Sequence, residues 1–414
     1  MYIDENNAAD VFAPLREANV APPRVDLEAA IGIARLRRRK HRLAGASGVV
    51  VAVAAIAIVL PLGINATRHG TPPVSSATSD PVSPPATTAP ARIPSPAPTS
   101  LTCTEKLLPV PDGVTMALVG GGDPTGRYLI GRSYPKGQRP QPVIWVGGVA
   151  HKVPLPGDDP DLSAVSSNGT VVGLSFAGQT MVGYIYRDGV VSRLKGTNVA
   201  PGAVNNAGVV IGQQDGGVAI PLVWHTPNSS PEKLPLPGPK WLGYATAVLD
   251  DGTMIGTVRP TAAGAEQTII WQPDGAFRLL PVPTSLHVPH TVGFSSASVR
   301  GNIISGNVVV NKPTVTTDAQ ASYDLATGTY SLDPQPPRFA ATGSNGHWMV
   351  GFTLPQETAR PALWTPGTGI VKLPTLTKKA DMDAPAFISD SGDLLAGQDT
   401  DKHGVIRAVE WRCH

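Results

Sequence analysis

An all-β fold, a seven-bladed β-propeller, is what this 414-residue sequence predicts, and three observations carry the prediction. A phrase such as "SSNGTVVGLS" (Ser166–Ser175) returns as "NNAGVVIGQQ", "LDDGTMIGTV", "GSNGHWMVGF" and "SDSGDLLAGQ". An aromatic, strand-like segment follows each copy, and a "LP"-type ending closes most units. The 44 Gly and 43 Pro, without a strict short period, suit many short strands and tight turns rather than helices.

Aligned on its second glycine, the phrase falls at Gly131, Gly173, Gly212, Gly256, Gly306, Gly351 and Gly397, at spacings of 42, 39, 44, 50, 45 and 46 residues. Periods of about 40 to 50 with strand signatures mark propeller blades. The aromatic landmark is Trp145, Tyr186, Trp224, Trp271, Tyr323, Trp364 and Trp411. Each unit therefore reads as four strands. In the first hairpin, Asn-Gly or Asp-Gly supplies the positive φ of a two-residue turn. The second strand is buried, the third carries the aromatic, and the fourth ends in "LP", where proline asks for no donor partner at a blade edge.

Residues 1–42 precede this domain as a tail with the basic run "RLRRRKHR" at 35–42, six Arg or Lys and no acid. Asp26 is a candidate N-cap, with Leu27, Ala30, Ile31 and Ala34 at helical spacing, giving a short basic amphipathic helix. Such a helix lies on anionic headgroups or docks a cytoplasmic regulator. Leu43–Ile64 holds 22 uncharged residues, enough for a transmembrane helix. The basic run on its N-terminal side places the tail inside and the rest outside. A cleaved signal peptide is the competing reading, against which stand the long n-region and the poor site "INAT". Residues 65–101 are Pro, Ser, Thr and Ala with few large apolar side chains, an extended stalk. From Cys103 onward 23 Lys and Arg face 24 Asp and Glu, a balance that gives no footprint for nucleic acid.

The repeat in "AVSSNGTVVGLSFAGQTMVGYIYRDGVVSRL" resembles the HAF-type extracellular repeats, and the likeness extends over about 115–414, with weaker copies at Gly306 and Gly351. It departs in having Trp or Tyr where that family often has "AFLW", and Leu-Pro for Leu-Gly at the unit's end. The resemblance implies the architecture and an extracytoplasmic location, not a reaction. The layout of tail, span and stalk is similar to membrane proteins of high-GC Gram-positive bacteria. Some of those tails act on sigma factors, so the likeness implies an anti-sigma-like regulator.

Chemistry leaves few marks. HExxH, GxSxG, a Walker A loop and a CxxC pair do not occur, and "SDSGDLLAG" lacks the Trp of a sialidase Asp box. Candidate ligand residues are therefore those that break the repeat. Trp241, in "PGPKWLGYA", falls in an inter-blade connection, where Trp suits a binding hot spot. His287 and His290, in "SLHVPHTV", fall in the next connection; without an acidic or Cys partner nearby they point away from metal. The other six Trp, Trp348 included, read as blade packing. "GDDPD" (Asp158, Asp159, Asp161), "KKADMD" (Asp381, Asp383) and "DTDKHG" (399–404) read as solvated. No catalytic residue, cofactor or metal is implied.

The seventh unit ends at "AVEWRC" with no fourth strand, while an orphan "EKLLPVP" (Glu105–Pro111) stands just after the stalk. It predicts that the N-terminal segment closes the last blade, with Cys103 and Cys413 adjacent and disulfide-bonded, so the domain runs 102–414. The function expected is a membrane-anchored, monomeric module that binds or senses an extracytoplasmic ligand, glycan or protein. The alternative is an extracytoplasmic hydrolase or lyase with its site at the channel mouth, and a third reading is a structural envelope protein.

Overall fold

The computed structural model describes residues 101–414 apart from 112–113, 215–218, 262–263, 312–318, 334–338, 354–358 and 378–382. The tail, the predicted span and the stalk lie outside the described residues. No helix among the described residues is long and apolar enough to cross a membrane.

Among the described residues, twenty-eight strands form seven four-stranded antiparallel sheets, the blades of a propeller. The innermost strands are β2 (Met116–Gly122), β6 (Asp158–Val165), β10 (Val199–Val204), β14 (Trp241–Val248), β18 (Thr291–Arg300), β22 (Phe339–Ser344) and β26 (Ala384–Ile388). Blade 2 shows the plan: β6 pairs with β7 (Val171–Ala177), β7 with β8 (Thr180–Arg187), and β8 with the short outer β9 (Val190–Arg193). Most apolar clusters sit between blades, although Phe339, Met349, Ala362 and Trp364 cluster within blade 6. Val172 and Ile185 of blade 2, for example, pack on Val210, Leu222 and Trp224 of blade 3.

The third-strand aromatic and the "LP" ending turn out to be two halves of one contact. The indole N–H of Trp145, Trp224, Trp271 and Trp411 donates to the carbonyl of Pro109, Lys195, Pro235 and Pro374, at 2.7–2.9 Å. Each acceptor lies just past the outer strand of the preceding blade, after a buried leucine (Leu108, Leu194, Leu234, Leu373). Blade 5 has Tyr323 at the landmark, and there the hydroxyl of Tyr330 reaches Pro281 O at 2.9 Å instead. Thus the residue after the leucine, proline at Pro109, Pro235 and Pro374 and lysine at Lys195, presents a carbonyl acceptor to the next blade.

The repeated turn differs from expectation in geometry. Its glycine alone is left-handed, for instance φ +85° at Gly169, while Asn168 is not among the residues with positive φ. Ser166 N–H reaches Thr170 O, and Gly169 N–H returns to Ser166 O, which makes a three-residue connection with a left-handed glycine rather than a two-residue turn. Asn168 uses its Oδ1 to accept from Thr170 N–H and hydroxyl. Its amide then bonds across to Asn206 of the next turn, which in turn bonds Asp250. Asn345 reaches Ser389 O, and Asp390 N–H reaches Pro124 O. Among the described residues the repeated turns are thus hydrogen-bonded to one another at four of the seven blade junctions, all on one face.

Blade 7 closes as the sequence implies. Its sheet runs β26, β27 (Leu394–Thr400), β28 (Ile406–Cys413) and then β1 (Cys103–Leu107). The register sets Cys103 opposite Cys413 and Glu105 opposite Trp411, and the two cysteines form a disulfide across 310 residues of sequence.

Candidate functional site

The inner strands converge on a central channel, and its wall follows from the second glycine of the repeat. In every blade the pairing of the first two strands slips by one residue opposite that glycine. The carbonyl of the facing inner strand then approaches so closely that a Cβ would collide with it, as at Gly212 with Ala200 O and Gly256 with Tyr244 O. The residue extruded by each bulge is small: Gly120, Ser163, Gly202, Thr246, Ala297, Thr342 and Ala386. Two of them tie back to the wall, Thr246 to Ile255 O at 3.1 Å and Thr342 to Val350 O at 3.2 Å. Each inner strand therefore carries a small, uncharged residue at its bulge.

The two mouths differ. At the end carrying the repeated turns, Arg300 of blade 5 reaches past blade 6 to blade 7. Its Nε stands 3.8 Å from Asp390, and its guanidinium 5.8 Å from the centre of the Phe387 ring. Burial lowers the pKa of Arg300, with the nearby charges of Asp390 and Asp123 opposing. The opposite mouth holds the predicted residues. Trp241 opens β14 rather than sitting in the connection, half-buried against the core between blades 3 and 4. His287 caps a short 3-10 turn (Thr284–Leu286), and His290 directly precedes β18. Both histidines are exposed and left-handed, at φ +55° and +62°. Trp241 and His290 therefore stand at the same end of neighbouring inner strands. Among the described residues no group of three His, Cys, Asp or Glu side chains is arranged to hold a metal ion.

On this same face a cavity of about 330 Å³ lies over blade 1, lined by Arg139, Pro140, Pro142, Lys152, Leu155 and Pro160 among others. The aspartates beside it are not simply solvated. Asp159 hydrogen-bonds Arg132, Asp161 lies 3.8 Å from it, and Asp158 pairs with Arg139. Arg132 is buried; burial disfavours its charge, but Asp161, Tyr134 and Asp159 outweigh it and its pKa is raised. Burial pushes the Tyr134 hydroxyl up to about 12. A second correction concerns blade 7. Asp399 is fully buried and Asp383 is 8% exposed, so neither belongs to a solvated loop. Only departures from the repeat could have flagged these groups: Arg132 follows the repeat glycine where other blades have Leu174, Gln213 or Thr257. Arg300 stands in the turn "VRGN", which replaces the usual Asn-Gly or Asp-Gly.

The other tryptophans behave as packing residues: Trp145, Trp224, Trp271, Trp364 and Trp411 are buried, and Trp348 packs beside the core between blades 6 and 7.

No family model and no curated protein matches the sequence. Among solved structures, the chain is similar to the β-propeller domain of the Trilobed protease from Pyrococcus furiosus. That match has 10% identity and a TM-score of 0.49, covering 72% of this chain and 96% of that one. TolB from Acinetobacter baumannii matches at 14% identity and TM-score 0.38, covering 62% of each chain. An oligogalacturonate lyase from Vibrio parahaemolyticus matches at 9% identity and TM-score 0.37, covering 76% of this chain and 97% of that one. The architecture itself defines the class: a seven-bladed propeller closed by both ends of its domain.

Proposed function

We propose that this chain is a membrane-anchored extracytoplasmic propeller that binds a ligand, glycan or protein, on the face carrying Trp241, His287 and His290. The observation that carries the location is the Cys103–Cys413 disulfide. A bond that closes the ring persists on the oxidising side of a membrane, which agrees with the charge asymmetry around the predicted span. The choice of face rests on the difference between mouths, since Arg300 spans the other one. Binding is favoured over catalysis because the arginines and aspartates beside the blade 1 cavity, Arg132 and Arg139 with Asp159 and Asp158, are already paired with one another. On this reading the tail reports occupancy to a cytoplasmic, anti-sigma-like partner.

Protease added to intact cells tests the topology: it should remove the propeller and leave a small membrane-bound fragment. Mature protein free in the medium, beginning near Thr67, would replace the anchor with a signal peptide.

A further inference from the structure

We propose that the closing seam is proton-locked: Glu105 and Asp383 are neutral carboxylic acids hydrogen-bonded to Asp399, and alkali loosens the N-terminal strand by ionising them. The three groups come from three pieces of chain. Glu105 lies on β1, Asp399 on β27, and Asp383 immediately before β26. Asp383 and Asp399 meet at one backbone N–H, that of Thr400, and Asp399 is the neighbouring acid that acts most strongly on both Glu105 and Asp383. Two ionised carboxylates repel, so a hydrogen bond from either acid to Asp399 needs a proton between the oxygens.

The backbone donors of the seam converge on Asp399. Leu376 N–H donates to Asp399 Oδ2 at 2.8 Å, and Thr400 N–H addresses Asp399 Oδ1 as well as Asp383 Oδ1. Glu105 Oε1 and Asp383 Oδ2, by contrast, are buried with no donor. An ionised carboxylate left so would carry the full cost of desolvation, whereas a neutral acid carries far less. Among the described residues the neighbouring cations are engaged elsewhere: Arg407 with Asp401, and Arg412 with Glu410 on the other face of β28. From blade 6 the seam meets Val350, Leu363 and Leu373, all apolar.

Burial, then Asp399 and Asp383, push Glu105 up to about 9. Burial and Asp399 push Asp383 up to about 7. Both folded values exceed the unfolded ones of 4.5 and 3.8. The stabilisation is therefore complete below about pH 4 and is lost as pH rises through about 7 and then about 9.

The test uses the full-length chain in detergent with the disulfide reduced, comparing wild type with Glu105→Gln, Asp383→Asn and the double variant. The wild-type melting temperature should fall between about pH 6 and about pH 9.5, and the double variant, neutral throughout, should show a flatter profile. If the variants do not fold, hydrogen exchange on the wild type decides. Protection of the Thr104–Leu107 amides should drop at least about tenfold over that range, beyond the change in blade 3, as expected for one unit of pKa linkage. Parallel pH profiles for wild type and double variant overturn the proposal, as does equal loss of protection in β1 and blade 3. So does a calcium-induced rise in wild-type melting temperature that the double variant lacks, which would make the cluster a cation site.

Discussion

The seam between blades 3 and 4 and the seam that completes blade 7 solve one problem with different chemistry. The first joins consecutive segments of chain, and repeated features suffice: Trp271 bonds Pro235 O, and Asn206 bonds Asp250. Blade 7 must join strands from opposite ends of the domain. There the repeated bond from Trp411 to Pro374 O is still present, but a disulfide and a buried carboxylate cluster are added. Where connectivity supplies proximity, packing and turns are enough. Where it does not, the loss of chain entropy on closing the ring must be offset locally.

Removing the added chemistry should therefore cost most. Cys103→Ala is expected to destabilise by up to about 5 kcal/mol on the chain-entropy model, with measured values commonly lower. Calorimetry with and without reductant checks it; a loss no larger than that from an exposed surface substitution would mean that the seam holds without the bond. Next comes the repeat glycine: Gly256→Ala should cost about 1–3 kcal/mol because the new methyl meets Tyr244 O. The same change at Gly252, also a repeat glycine but in the turn, acts through its φ of +87° instead.

Trp271→Phe and Trp411→Phe sharpen the comparison. Each leaves a proline carbonyl without its indole donor, which costs about 1–3 kcal/mol in denaturant unfolding. Similar losses in oxidised protein, but a larger loss for Trp411→Phe after reduction, would show the disulfide sharing the load at the closing seam. The smallest structural effect should come from Asn206→Ala, in an exposed turn, at about 1 kcal/mol. For function, Trp241→Ala should weaken binding of any ligand by more than about 1 kcal/mol while leaving the melting curve intact. A ligand mapped instead to the mouth spanned by Arg300 would reverse the assignment of faces.

The blades were legible because what recurs in the sequence recurs in the contacts. Glycine, aromatic and "LP" mark a bulge, an inter-blade donor and its acceptor. The closing strand was legible because "EKLLPVP" is a unit's fourth strand displaced to the other end of the domain, with a cysteine beside it. The buried charges were not legible. Asp159, Asp161, Asp383 and Asp399 stand in acidic, loop-like runs that look solvated, yet the first two lie half-buried against the buried Arg132 and the last two are buried. Arg132 and Arg300 find their partners 27 and 90 residues away, as Asp159 and Asp390, and a single sequence carries no sign of such pairs. The turn geometry was half legible: glycine was assigned correctly, but the preceding Asn spends its side chain on the next turn rather than adopting positive φ.

The central claim is that both ends of the domain build one blade, and non-reducing peptide mapping of exported protein tests it most directly. The account predicts that peptides containing Cys103 and Cys413 are recovered as one linked species that separates on reduction. Free thiols at both positions in folded, exported protein would contradict it.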